Sequence, residues 1–288
     1  MYISGMLEMP MTLLLSLLLA TPAPVPAGQL TYLANEGFLI SAGGNEVLID
    51  ALHRGSVREY PKLPEAMQQE IEAARGVFAG VDLVLVTHYH GDHFDPEATG
   101  RHLLANPKAR LISTPQVVEK LQQGFPSFAQ IAERATGVLP EEGEYRKVPL
   151  DLPGLMLTVV NLHHGRGGRP PTQNLGFLLE VNGVKLLHVG DTSAVETDWA
   201  LLALDKQQGD VALLPYWQVD GEEELATIRR HVAPRVVVPM HWPAADAAPR
   251  WFGEDGNLDG LLARMGKIEH TVIVSRAGET KTFAELLP

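Results

Sequence analysis

The sequence predicts an α/β fold of four layers, with two β-sheets packed face to face and helices covering both outer faces. Two observations carry that prediction. Short β-type runs recur in both halves of the chain, several of them apolar enough to be buried on both sides. Each half also follows one grammar, with hairpin-like strands first and strand–helix units after. No linker rich in Ser, Gly or Pro divides the halves, so residues 28–288 read as one domain.

The elements follow in order. Residues 30–33, 38–41 and 46–50 are short β-type runs. They are broken by Asn35-Glu36-Gly37 and by Ala42-Gly43-Gly44-Asn45, the second break being a hairpin signal. Residues 64–75 have helical spacing, with Ala66, Met67, Ile71 and Ala74 apolar. Residues 82–86 form an apolar strand that runs straight into a histidine cluster. Helices are expected over 96–105 and 115–122, each with Pro in its first turn, and a strand over 110–113 between them. In the second half the strands are 156–161, 175–181 and 184–189, the last two joined by Asn182-Gly183. Helices over 195–204 and 222–232 alternate with buried-type strands over 210–214 and 235–240, and a last strand is expected over 271–275.

Composition narrows the function. The chain has 288 residues, 45% of them hydrophobic and 20% charged, as in an ordinary globular protein. Lys and Arg number 23 and Asp and Glu 35, a formal charge of −12. So acidic a chain repels a phosphate backbone, which argues against a nucleic-acid partner; the expected partner is a small-molecule substrate. The absence of cysteine excludes disulfides, thiolate metal sites and a cysteine nucleophile.

Residues 1–27 read as a secretory signal peptide. An apolar run over 11–20 is too short to span a bilayer, and small residues follow at Val25 and Ala27. The first basic side chain in the chain is Arg54, so the usual positive start is missing. The expectation is a periplasmic or secreted protein with no integral span after processing.

Chemistry concentrates in Thr87-His88-Tyr89-His90-Gly91-Asp92-His93, just after the 82–86 strand. Side chains at i and i+2 of an extended segment point the same way, so His88 and His90 can grip one cation. Gly91 lets the chain turn sharply, and Asp92 and His93 then face the same hollow from another direction. Imidazole and carboxylate are the ligands of zinc and similar divalent metals.

This segment resembles the H-x-H-x-D-H signature of the metallo-β-lactamase superfamily. Three later segments resemble that family's remaining motifs, in order: Asn161-Leu162-His163-His164-Gly165, Leu187-His188-Val189-Gly190-Asp191-Thr192 and Val238-Pro239-Met240-His241-Trp242. The resemblance covers residues 30–288 and implies the αββα sandwich. Residues 35–40, 47–52, 212–217 and 236–242 look closest to its broad metal-dependent hydrolases, the ascorbate-6-phosphate lactonase-like and N-acyl-phosphatidylethanolamine phospholipase D-like members.

Carried over residue by residue, the resemblance implies two divalent cations, with zinc foremost and manganese or iron as alternatives. His88, His90 and one of His163 and His164 hold the first. His164 is preferred because the family's ligand is usually followed by a small residue, here Gly165. Asp92, His93 and His241 hold the second, and Asp191 bridges. Asp50 resembles a buried Asp that orients a ligand His. His163 and His188 are expected beside the site, and His53, His102, His231 and His270 are read as ordinary histidines. Asp92 and His241 are the candidate catalytic residues. Two divalent cations, two aspartates and one hydroxide leave the centre cationic, suited to a nucleophilic hydroxide attacking an ester, lactone, phosphodiester or amide. The alternatives are a β-lactamase-type amide hydrolase and a metal-binding or sensory protein without turnover.

Substrate signals are sparser. Tyr216, Trp217 and Trp242 follow strand ends and are expected to wall a pocket. Arg166, in the loop after the third His motif, is expected to meet an anionic group.

Overall fold

The computed structural model describes residues 25–165, 171–252 and 257–288. The first sheet holds β1 (Gly28–Tyr32), β2 (Phe38–Ala42), β3 (Asn45–Ile49), β4 (Leu83–Val86), β5 (Arg110–Ser113) and β6 (Ala135–Gly137). The second holds β7 (Arg146–Val148), β8 (Leu155–His163), β9 (Gln173–Val181), β10 (Val184–His188), β11 (Val211–Pro215) and β12 (Val236–Met240). A last strand, β13 (Thr280–Thr282), returns to the first sheet and pairs antiparallel with β1.

Side-chain alternation explains the layering. Along β4, Leu83 and Leu85 join the core between the sheets, while Val84 and Val86 join a second core on the opposite face. Strand β2 divides likewise, with Phe38 and Ile40 between the sheets and Leu39 beneath the helices. That outer core is closed by α1 (Glu65–Glu72), α2 (Pro96–Ala105) and α3 (Pro115–Gly124), through Ile71, Leu103, Val117 and Leu121. Beside the second sheet, α4 (Glu196–Leu202) and α5 (Glu222–His231) bury Trp199, Leu202 and Ile228. Two further helices, α6 (Ala248–Phe252) and α7 (Leu258–Met265), precede β13, and α8 (Phe283–Leu286) closes the chain.

The halves share one topology. β1, β2 and β3 pair antiparallel and β3 to β6 parallel. β7 to β10 then pair antiparallel and β10 to β12 parallel. The starts of α2 and α3 are capped by Asp95 and Thr114, which accept from the backbone N–H of Ala98 and Val117, with Pro in the first turn of each helix.

Two expectations need correction. The strand expected over 271–275 is a single bridge from Thr271 to Val237 at the edge of the second sheet, and the chain's last strand is β13, at the edge of the first. Leu204 lies outside α4, because Ala203 adopts a left-handed φ of 46° that ends the helix. Of the expected signal segment, residues 1–27, the first 24 lie outside the described residues, and β1 opens at Gly28. Among the described residues no helix is long and apolar enough to cross a membrane.

Candidate metal centre

Strands of both sheets end at one place. Asp50 follows β3, residues 87–93 follow β4, His164 follows β8, Asp191 follows β10, Trp217 follows β11 and His241 follows β12. Backbone bonds join the halves there: Leu175 N–H donates to the Thr87 carbonyl (3.1 Å) and His241 N–H to the Asn35 carbonyl (3.2 Å).

Two ligand clusters result. Donor atoms of His88, His90, His164 and Asp191 lie within 4.8 Å of one another, as do those of Asp92, His93 and His241. Asp191 touches both: its Oδ2 is 3.3 Å from His164 Nε2 and its Oδ1 is 2.9 Å from His241 Nε2. The His164 ring packs beside those of His88 and His90, at centroid distances of 4.5 and 4.6 Å.

His163 is corrected. Its side chain is exposed and faces Glu142 and Asp198, outside the ligand clusters. Successive residues at a strand end point to opposite faces, so His163 and His164 cannot both turn inward. The chain turns at residues 91–93 without a left-handed φ at Gly91; a Cβ there would lie 1.7 Å from Ser56 Oγ, a hydroxyl that would have to rotate away.

Hydrogen bonds fix which ring nitrogens are free. Asp50 accepts from Thr87 N–H (2.8 Å), from the Thr87 hydroxyl (2.6 Å) and from His93 Nδ1 (2.9 Å). With its own proton on Asp50, the Thr87 hydroxyl can only accept from His88 Nδ1 (3.0 Å). The Nε2 lone pairs of His88 and His93 are thereby left for a cation. His188 differs: Nε2 donates to the Glu36 carbonyl (2.9 Å) and Nδ1 accepts from Gly190 N–H (3.2 Å), so neither nitrogen is spare.

Electrostatics follow from burial and crowding. Burial opposes charge on His93, but Asp92 and Asp50 outweigh it and hold the ring well above the usual histidine range. Burial, then the neighbouring His93, keeps His88 well below that range. Burial and His164 lower His90. Asp92, although buried, is pulled down to about 2 by His93 and His241. Asp191 is also held well below the carboxylate range, because His241 and His164 outweigh its burial.

The residues fit a cation. Buried His88 Nε2, His164 Nε2, Asp191 Oδ1 and both His241 nitrogens have no hydrogen-bond partner. Such orphaned groups are costly unless something positive sits among them.

Several neighbours carried no signal in the sequence. Asn35 Nδ2 donates to the Asp92 carbonyl and to Asp92 Oδ2, both at 3.2 Å. Glu36 is fully buried, with neither carboxylate oxygen partnered. His53, read as ordinary, is buried too, and burial with the nearby His93 lowers it to about 4. The Tyr60 ring meets His241 edge-on at 4.2 Å. Three non-glycine residues here, Asn35, Asp50 and His241, have positive φ (52°, 44° and 63°), a strain typical of functional sites.

Of the expected pocket residues, the Trp217 ring lies 4.7 Å from His241, and Tyr216 is half-buried beside it at 5.4 Å. Trp242 is corrected: it is buried, stacks on Tyr216 and donates to the Val274 carbonyl (2.9 Å), so it is core. Arg166 lies outside the described residues. A separate cavity of about 430 Å³, bordered by Met156, Thr158, Leu178 and Lys185, includes none of the cluster.

Comparison with known proteins agrees with this geometry. Residues 45–242, more than half of the chain, match the β-lactamase superfamily domain. The chain belongs to the metallo-β-lactamase superfamily. Within the superfamily it is similar to a UPF0173 metal-dependent hydrolase of Pyrococcus furiosus, 27% identical over 78% of this chain and 90% of the relative. Two solved structures share the fold. Igni18, a metallo hydrolase from Ignicoccus hospitalis, gives a TM-score of 0.56 at 21% identity over 89% of this chain and 98% of that one. The metallo-β-lactamase fold protein YhfI from Bacillus subtilis gives 0.57 at 12% identity over 89% and 99%. The superfamily match, these relatives and the His/Asp clusters make the chain a metal-dependent hydrolase of this fold.

Proposed function

We propose that this hydrolase binds two divalent cations and cleaves an ester, lactone, phosphodiester or amide bond in a small molecule. The observation that carries the reading is the convergence of unpartnered lone pairs from both halves of the chain. His88, His90 and His164 hold the first cation, a nitrogen-rich set that suits zinc. Asp92, His93 and His241 hold the second. Asp191, with one oxygen toward each set, joins the two.

When bound, such ions supply Lewis acidity, making a water nucleophilic near neutral pH and stabilising an oxyanion. The protein does the rest. Asp50 and Thr87 fix the His93 and His88 rings, so that the ligands need not reorganise. Asn35 holds the Asp92 carboxylate 3.6 Å from His241 Nε2. Asp92, ionised through its histidine neighbours, orients the attacking water and takes its proton. Trp217 and Tyr60, edge-on to His241, present ring surface to the substrate.

The test is a panel of ester, lactone, phosphodiester and amide substrates, assayed with metal-loaded protein. At least one class is turned over, and His90→Ala lowers that rate by about 100-fold or more while the fold persists. Metal-loaded protein inert on every class, or an undiminished His90→Ala, contradicts the reading.

A further inference from the structure

Among the described residues, Glu36 is a buried carboxyl group with neither oxygen hydrogen-bonded. It sits in the turn between β1 and β2, where side chains usually meet water, yet it is fully buried. Both carboxylate oxygens lack a hydrogen-bond partner. Burying a carboxylate without a donor is costly, and burial accordingly pushes Glu36 well above the usual carboxylate range.

The backbone around it is pinned from several sides. Leu33 N–H donates to the Gly37 carbonyl (2.8 Å) and Gly37 N–H to the Ala34 carbonyl (2.6 Å), closing the turn. The Glu36 carbonyl accepts from His188 Nε2 (2.9 Å) and the Asn35 carbonyl from His241 N–H (3.2 Å). A Cβ on Gly37 would come 2.8 Å from the Ala34 carbonyl oxygen, so that position has no space for a side chain. His188 therefore serves to present Glu36 rather than to bind metal itself.

The side chain is aimed at the centre. One oxygen lies within 4.8 Å of donor atoms on Asp191 and His241, and Glu36 groups in the same way with Asp50 and His93. Oε2 is 3.7 Å from His93 Nδ1, whose proton Asp50 already takes at the shorter 2.9 Å. Neither Glu36 oxygen receives a hydrogen bond from any of these neighbours. A cation among Asp92, His93 and His241 is the partner its position calls for.

We propose that Glu36 is an additional carboxylate ligand of the second cation, delivered by the β1–β2 turn. The inference rests on the two-cation reading above and deepens it. The first position then has three imidazoles and a shared carboxylate. The second has two imidazoles and the carboxylates of Asp92, Asp191 and Glu36. Carboxylate oxygens are hard donors, so the second position favours manganese or ferrous iron over zinc more than the first does. One protein offered both metals fills the two positions unequally.

The test compares wild type with Glu36→Gln, which keeps shape and removes charge, by titrating each metal-free protein with Mn²⁺ and with Zn²⁺ alone. Wild type takes up two equivalents. Glu36→Gln keeps the first and weakens the second by about tenfold or more, with the larger loss for Mn²⁺. A Mn²⁺-loaded wild-type crystal structure, which does not depend on the variant folding, places a Glu36 oxygen at bonding distance from the second ion. Equal second-equivalent affinity in both proteins, or a Glu36 carboxylate turned away in that structure, overturns the Glu36 assignment and leaves the two-cation reading standing. A wild type that binds one equivalent or none overturns both.

Discussion

At the residue scale, the centre is organised by what each proton does. Asp50 accepts three hydrogen bonds and thereby orients Thr87, His88 and His93 together. Asp50→Asn substitutes a donor for one acceptor and breaks this chain. The expected outcome is a 10- to 100-fold loss in metal affinity with the fold retained, read by metal titration and circular dichroism. An unchanged affinity contradicts the role. His93 sets the pH dependence. Asp92 and Asp50 hold it well above the ordinary range in the metal-free protein, and a cation must displace its Nε2 proton. Affinity for the second cation should therefore rise about tenfold per pH unit until His93 is deprotonated, then level. For the metal-free fold the sign is opposite: the paired, charged His93 stabilises below the ordinary histidine range, and this is lost as pH rises through its raised value. Asp92 behaves in reverse, its stabilisation being present above the ordinary carboxylate range and lost as pH falls toward about 2. Titrations across pH 6 to 8 check the metal arm; a flat profile contradicts it.

At the element scale, strand ends do the positioning. The spacing of His88, His90, Asp92 and His93 was legible because it is local: two residues of extended chain, then a turn. Asp50, His164, Asp191 and His241 are single residues at distant strand ends, and only their resemblance to known motifs marked them. Asn35, Glu36 and His53 were not legible at all. Nothing in Asn35-Glu36-Gly37 says that the turn faces inward, since that depends on His188 and His241 of the other sheet. The strands β6 and β7 are three residues each and largely exposed, so they lack the apolar signal that marked the others. Just past β10, Gly190 has a left-handed φ of 59°, and a Cβ there would lie 2.4 Å from Asn174 Oδ1 and 2.7 Å from Thr87. Gly190→Ala is expected to cost about 1–3 kcal/mol in chemical denaturation and to weaken metal binding by shifting Asp191. A variant with wild-type stability and affinity contradicts that account of the turn.

At the scale of the whole molecule, two halves of like topology pack sheet against sheet, and neither carries all the residues of the candidate centre. The first half supplies His88, His90, Asp92 and His93, the second His164, Asp191 and His241. The four-layer arrangement was legible because apolar periodicity and the hairpin-then-helix grammar are whole-chain properties. The return of β13 to the first sheet was not, because an exposed three-residue edge strand leaves almost no pattern. Together the halves are proposed to hold two divalent cations. Elemental analysis of protein purified without added metal, repeated after chelation and reloading with each candidate metal, is the decisive measurement. About two equivalents per chain are expected after reloading, with a higher melting temperature than for the chelated protein because ligands of the folded state stabilise it. One equivalent or none at saturating metal, with no change in melting temperature, would contradict it.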